Sequence, residues 1–171
     1  SAGMEPSSIS FPYRRIFQKY KNLYFRLAEV KQIDVKNKKV ITSIGSVSYD
    51  YVVLAAGATS NFFGNKEIEK GSMAMKSLSE AARIRNTVLA NIERAITTED
   101  PVFRQELLNI VVVGGGATGV ELAGVMSEMK KTILPRDYPE LDASLMNVYL
   151  IQGDNRLLPG MAPESSQKAI D

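Results

Sequence analysis

The run Ile110-Val111-Val112-Val113-Gly114-Gly115-Gly116-Ala117-Thr118-Gly119-Val120-Glu121-Leu122-Ala123-Gly124 constrains the fold more than any other part of the chain. A GxGxxG pattern alone is weak evidence. Here an apolar strand runs straight into it and a helical pattern runs straight out, the context that gives the pattern a mechanism. Gly114 permits a tight turn. Gly116 has no Cβ, so the backbone can approach a pyrophosphate. Gly119 lets the helix lie close to the strand. The helix points free N–H groups and the positive end of its dipole at the phosphates. Gly114, Gly115, Gly116, Ala117, Thr118 and Gly119 are therefore a candidate dinucleotide cradle. The competing reading is a glycine turn that serves packing alone.

The rest of the chain supplies the setting. Residues 51–55, 108–113 and 147–151 are apolar runs without alternation, as expected of strands covered on both faces in a parallel sheet. Residues 120–134 read as a helix stopped by Pro135, and residues 132–145 lengthen the link to the strand at 147–151. Pro163 opens a last helix. Near the start, Ser10 is expected to cap a short helix with Pro12 in its first turn, Ile16, Phe17 and Tyr20 as a stripe, and Asn22 at its end. Leu23 to Val35 alternates imperfectly, Lys36-Asn37-Lys38-Lys39 reads as a turn, and Val40-Ile41-Thr42 as a return strand. Gly45 breaks that strand, and Val47 to Tyr49 completes a small antiparallel meander. Residues 62–76 look irregular. Ser77-Leu78-Ser79-Glu80 matches a capping box. Ala81, Ile84, Val88, Leu89, Ile92, Ala95 and Ile96 then recur at helical spacing until Asp100-Pro101. The expected class is α/β, with a meander within 1–58, a connecting segment with a long helix at 59–108, and the first βαβ of a parallel sheet at 109–171.

Composition excludes more than it suggests. The chain has 171 residues, whereas two dinucleotide units want roughly 100–150 residues each. A net charge of +2 gives no case for nucleic acid or for strong attachment to acidic lipid. No apolar run reaches the roughly 18 residues of a membrane-spanning helix. The opening residues lack the basic and apolar regions of a signal peptide. The sequence contains neither cysteine nor histidine. That rules out a Cys/His zinc site, a cysteine nucleophile and a Ser-His-Asp triad within these residues, and no metal site is expected. Redox chemistry here would have to come from a cofactor. At the end of the strand at 147–151, where an acid would bind a ribose 2′-OH, stands Gln152. An amide does not repel a 2′-phosphate, so NADP is not excluded beside NAD.

Four stretches carry a resemblance to type II NADH dehydrogenases, the single-subunit NADH:quinone oxidoreductases of the two-dinucleotide flavoprotein superfamily. They are Glu5-Pro6-Ser7-Ser8-Ile9-Ser10-Phe11-Pro12 with Arg14; Tyr49-Asp50-Tyr51-Val52-Val53-Leu54-Ala55-Ala56-Gly57-Ala58 with Asn61, Phe63 and Gly64; the glycine turn with Val120-Glu121; and Val148-Tyr149-Leu150-Ile151-Gln152 through Arg156-Leu157-Leu158-Pro159-Gly160. The resemblance implies an incomplete FAD/NAD(P)-binding Rossmann-type fold. Residues 1–58 become part of an FAD-binding domain and 109–171 the beginning of an NAD(P)H-binding domain. It places Ala55, Ala56, Gly57 and Ala58 near FAD, the backbone around Val30 near the FAD adenine, and Gly114 to Gly119 on the NADH pyrophosphate. Gln152 would face the adenosine ribose, and Glu121 the place where nicotinamide, flavin and quinone meet. An ordinary acid in the first turn of a helix is the plainer account of Glu121.

The implied activity is hydride transfer from NADH to FAD and electron transfer on to quinone, by a cytoplasmic enzyme peripheral to the inner face of the membrane. Such enzymes hold the FAD pyrophosphate on a further glycine turn and associate with the membrane through C-terminal helices, and neither feature occurs in this sequence. The chain is therefore expected to be a soluble, self-associating piece without activity of its own. Another flavin-dependent reductase of disulfide or ferredoxin type, and a non-catalytic nucleotide-binding module, remain the alternatives.

Overall fold

The computed structural model describes residues 11–170, which fall into two compact units, one within Glu5–Lys66 and the other within Glu67–Asp171. The expected cap Ser10 and the stretch from Glu5 to Ser10 lie outside the described residues.

In the first unit, α1 (Tyr13–Phe17) starts from Pro12, whose carbonyl accepts the N–H groups of Arg15 and Ile16. It ends at Phe17, five residues before Asn22, with one further turn bond from the Tyr20 N–H to the Phe17 carbonyl. The meander is present. β1 (Val30–Asp34), β2 (Lys39–Thr42) and β3 (Gly45–Ser48) pair antiparallel in the order β1-β2-β3. The turn between β1 and β2 is closed by Asp34, whose carboxylate accepts from the backbone and side-chain amides of Asn37.

Two strand expectations are corrected. β1 is shorter than 23–35, because β2 offers only four residues to pair with. β2 does end before Gly45, but β3 begins at Gly45 opposite Thr42 and not at Val47; the φ of +126° at Gly45 suits the turn that leads in. A larger correction concerns residues 51–55, which form no strand and are exposed. An apolar run becomes a parallel strand only when a neighbour supplies the ladder, and none of the described strands lies beside this one.

The second unit opens with α2 (Lys66–Gly71), a short helix where irregular chain was expected. The capping box of α3 (Leu78–Thr97) is complete: the Ser77 side chain accepts from the Glu80 N–H, and the Glu80 carboxylate accepts from the Ser77 N–H. α3 buries Ala81, Ile84, Ile92 and Ala95. α4 (Pro101–Leu108) was not anticipated. Asp100 caps it through the N–H groups of Val102 and Phe103, so Leu108 ends a helix instead of opening the next strand. Ile84, Ile92, Ala95, Leu107 and Leu108 join Met126, Leu134, Leu141 and Met146 in one core.

β4 (Asn109–Val113) and β5 (Asn147–Ile151) pair parallel through α5 (Ala117–Glu128), which completes the βαβ unit. α5 begins three residues before Val120. Nor does Pro135 stop the helical path. A π-helical turn (Met129–Ile133) widens it, and α6 (Leu134–Asp137) continues with Pro135 near its start. The link then passes a 3-10 turn (Ala143–Leu145) to β5, and α7 (Pro163–Ile170) closes the unit. The sheet is covered on one face, not two. Val112 is buried, and Ile110 and Val148 pack on the core, while Val111, Val113, Tyr149 and Ile151 are 54, 64, 49 and 53% exposed.

Candidate nucleotide-binding turn

The glycine turn stands where the β4–β5 ladder ends. The last rung is the Gly114 N–H donating to the Ile151 carbonyl at 2.8 Å. Gly114 has φ +115°, a backbone region that side chains disfavour, so the turn needs glycine there. Gly119 needs glycine for a different reason. A Cβ at 119 would fall inside the Gly114 carbonyl oxygen. The helix therefore touches the turn that precedes it, backbone against backbone.

Gly115 is buried and tightly surrounded. A Cβ there would lie 2.7 Å from Leu157 Cδ2 and 3.0 Å from Gln152 Cβ. Its N–H donates to Gln152 Oε1 at 2.8 Å, and its carbonyl accepts from the Leu158 N–H at 2.7 Å. Gly116 is the opposite case. Nothing lies within 4 Å of where its Cβ would be. It is the N-cap of α5, no side chain caps it, and no acid sits in the first turn. Gly116, Ala117 and Thr118 are exposed. The outcome is an open helix N-terminus with uncancelled positive potential, flanked by space without a side chain. That arrangement suits an anionic group of pyrophosphate size.

The structure thus brings Gly114, Gly115, Gly116, Ala117, Thr118, Gly119 and Gln152 together. Glu121 is exposed on α5, but beyond its first turn, because the helix starts at Ala117. The helix dipole, which acts within the first turn, therefore does not explain Glu121. Val30 is the first residue of β1, paired with Thr42. Ala55, Ala56, Gly57 and Ala58 lie in exposed chain without secondary structure, Gly57 with φ +74°. Among the described residues, that stretch has neither a strand behind it nor a helix N-terminus directly ahead, so it offers no second pyrophosphate cradle.

The exit from β5, which carried part of the resemblance, was given no role beside the turn. Leu157 and Leu158 back the turn, and Arg156 donates to the carbonyls of Pro159 and Met161, which holds this exit folded. The string Arg156-Leu157-Leu158-Pro159-Gly160 was the available signal. Among the described residues no helix is long and apolar enough to cross a membrane, and no cluster of His, Cys, Asp or Glu is suited to a metal ion.

The family model described as pyridine nucleotide-disulphide oxidoreductase matches residues 2–171. The chain is 32% identical to the type II NADH:quinone oxidoreductase Ndh of Mycobacterium tuberculosis, over 94% of this chain and 36% of that protein. It is 35% identical to the mitochondrial external alternative NAD(P)H-ubiquinone oxidoreductase B2 of Arabidopsis thaliana, over 90% of this chain and 28% of that one. A solved structure of NDH2 from Plasmodium falciparum in complex with NADH superposes with a TM-score of 0.72 at 25% identity, covering 82% of this chain and 30% of that one. The chain spans about a third of the length of the curated relatives it matches.

Proposed function

The chain belongs to the pyridine nucleotide-disulphide oxidoreductase family, and we propose that it is the part of an FAD-dependent NADH:quinone oxidoreductase that holds the pyrophosphate of NADH. The observation that carries the reading is the pairing of a turn closed to side chains at Gly119 with a bare helix N-terminus at Gly116.

In this reading residues 109–171 begin the NAD(P)H-binding domain. The N–H groups at the start of α5 bind the pyrophosphate, and the absent Cβ at Gly116 admits it. Gln152 stands on the side of the adenosine ribose. As a neutral amide it leaves NADPH admissible beside NADH, in keeping with a relative whose name includes NAD(P)H. Residues 1–58 contribute to the FAD-binding domain, with the backbone at Val30 on the adenine side and Ala55 to Ala58 along the cofactor. Among the described residues of this unit, Ala55 to Ala58 form no cradle for the FAD pyrophosphate. Residues 59–108 connect the two. When bound, the flavin supplies the electron chemistry. Glu121 is assigned, by resemblance, to assisting charge or proton movement where nicotinamide, flavin and quinone meet. The complete enzyme works peripherally at the cytoplasmic face of the membrane that carries its quinone.

The test is Gly116→Val in the flavin-bound enzyme. A side chain in the open space would exclude the pyrophosphate, so NADH affinity should fall by at least about tenfold, some 1.4 kcal/mol, with flavin absorbance unchanged. Loss of flavin with NADH affinity intact would mean that the two dinucleotide sites are assigned the wrong way round.

A further inference from the structure

A turn that binds an anion works by presenting backbone N–H groups to it. One donor of this turn is already spent. The Gly115 N–H points back into the fold and is taken by Gln152 Oε1 at 2.8 Å. The Gly115 carbonyl is taken by the Leu158 N–H at 2.7 Å. Leu157 and the Gln152 stem leave no room for a Cβ at 115. The backbone rung before it runs from the Gly114 N–H to the Ile151 carbonyl. The Gln152 amide oxygen thus takes up an N–H that follows the last rung of the ladder.

We propose that Gln152 is a positioning residue of the turn: its side-chain carbonyl locks the Gly115 N–H and so aims the free N–H groups at the start of α5 toward the bound pyrophosphate. The proposal rests on the nucleotide-binding reading above but deepens it. The residue at the end of the second strand is ordinarily credited with contact to the ribose hydroxyls. Here its acceptor atom is committed to the protein, and its effect on the nucleotide passes through the turn.

Three physical points support this. Gly115 is buried, so without an acceptor its N–H would have neither protein nor water as partner. The turn has glycine at 114, 115 and 116, which leaves its backbone unusually free unless something outside it fixes a peptide. The two bonds at Gly115 fix the peptide groups on either side of its Cα, from residues 37 and 43 positions away in sequence.

Two variants and two probes test the proposal on the chain as it stands. Gln152→Leu keeps the bulk against Gly115 and removes the acceptor, whereas Gln152→Glu keeps an acceptor. In the nucleotide-free chain, amide exchange at Gly115 should quicken by about tenfold in Gln152→Leu and stay near wild type in Gln152→Glu. An unchanged Gly115 rate in Gln152→Leu overturns the lock. Calorimetry with ADP and 2′-deoxy-ADP then separates positioning from ribose contact. Positioning predicts that Gln152→Leu weakens both probes by the same factor. A loss confined to ADP, with 2′-deoxy-ADP unaffected, overturns the proposal in favour of direct contact with the 2′-OH. If the wild-type chain binds neither probe, the nucleotide reading fails and with it the purpose assigned to the lock. The exchange rates still report separately whether the Gln152–Gly115 bond orders the turn.

Discussion

Gly119→Ala sets two physical rules against each other. Residue 119 lies inside α5, where helix propensity favours alanine over glycine by about 1 kcal/mol. The structure reverses the sign. The new methyl would fall inside the Gly114 carbonyl oxygen and 3.0 Å from its carbon. That carbonyl shares a peptide group with the Gly115 N–H, which is tied to Gln152 Oε1 at 2.8 Å, so it cannot swing away without straining that bond. Overpacking costs about 1–3 kcal/mol where side chains can yield. Here only backbone can yield, so the expected loss is about 3 kcal/mol or more, at or beyond the top of that range. Domains of this kind have about 5–15 kcal/mol in all.

The assay is urea unfolding of the nucleotide-free chain, followed by far-UV circular dichroism. With a slope of about 1–3 kcal/mol per molar, the midpoint should fall by about 1–3 M. Gly116→Ala is the control. At φ −75° and with nothing within 4 Å, it should stay within about 1 kcal/mol of wild type. If Gly119→Ala proves as stable as Gly116→Ala, the close approach of helix and turn is not what holds this unit together.

Three further outcomes follow from particular contacts. Ser77→Ala removes the side-chain acceptor of the α3 capping box and should cost about 1 kcal/mol in the same unfolding assay. The Glu80 carboxylate accepts from the Lys76 N–H, the Ser77 N–H and the Ser77 hydroxyl, which hold its pKa below the usual carboxylate range. Its contribution is therefore complete above that range and disappears as pH falls through the lower folded value. The stability gap between wild type and Glu80→Gln should close on acidification, and a gap independent of pH would contradict the assignment. On the open sheet face, Ile151→Lys should shift a self-associating chain toward monomer in light scattering without altering its circular dichroism, since Ile151 is 53% exposed and the partner would be apolar.

Much of the second unit was legible because its signals are local. The Ser77–Glu80 spacing, the apolar recurrence from Ala81 to Ile96, and the glycines at 114, 116 and 119 each act within a few residues of themselves. Where the reading failed, the missing information was a neighbour. Residues 51–55 have the composition of a buried strand, yet composition cannot provide the second strand whose carbonyls and N–H groups a ladder requires. Residues 101–108 span only two turns, too short for their apolar residues to show a repeating stripe, and Asp100 acts as a cap only once the chain has turned there. Pro135 looks like a stop until a π-helical turn ahead of it widens the path and places it near the start of the next segment.

The sequence by itself determined the order strand, glycine turn, helix and strand, and the positions at which only glycine serves, because steric limits on φ and on a Cβ belong to the residue and its immediate neighbours. Only the tertiary structure decided which turn atoms remain available to a ligand. Gly115 and Gly116 are identical in chemistry and adjacent in sequence, yet one is sealed by Gln152, Leu157 and Leu158 and the other opens to solvent. That difference comes from chain 36 to 43 residues further on, folding back over one side of the turn, and no local pattern specifies which side it will cover.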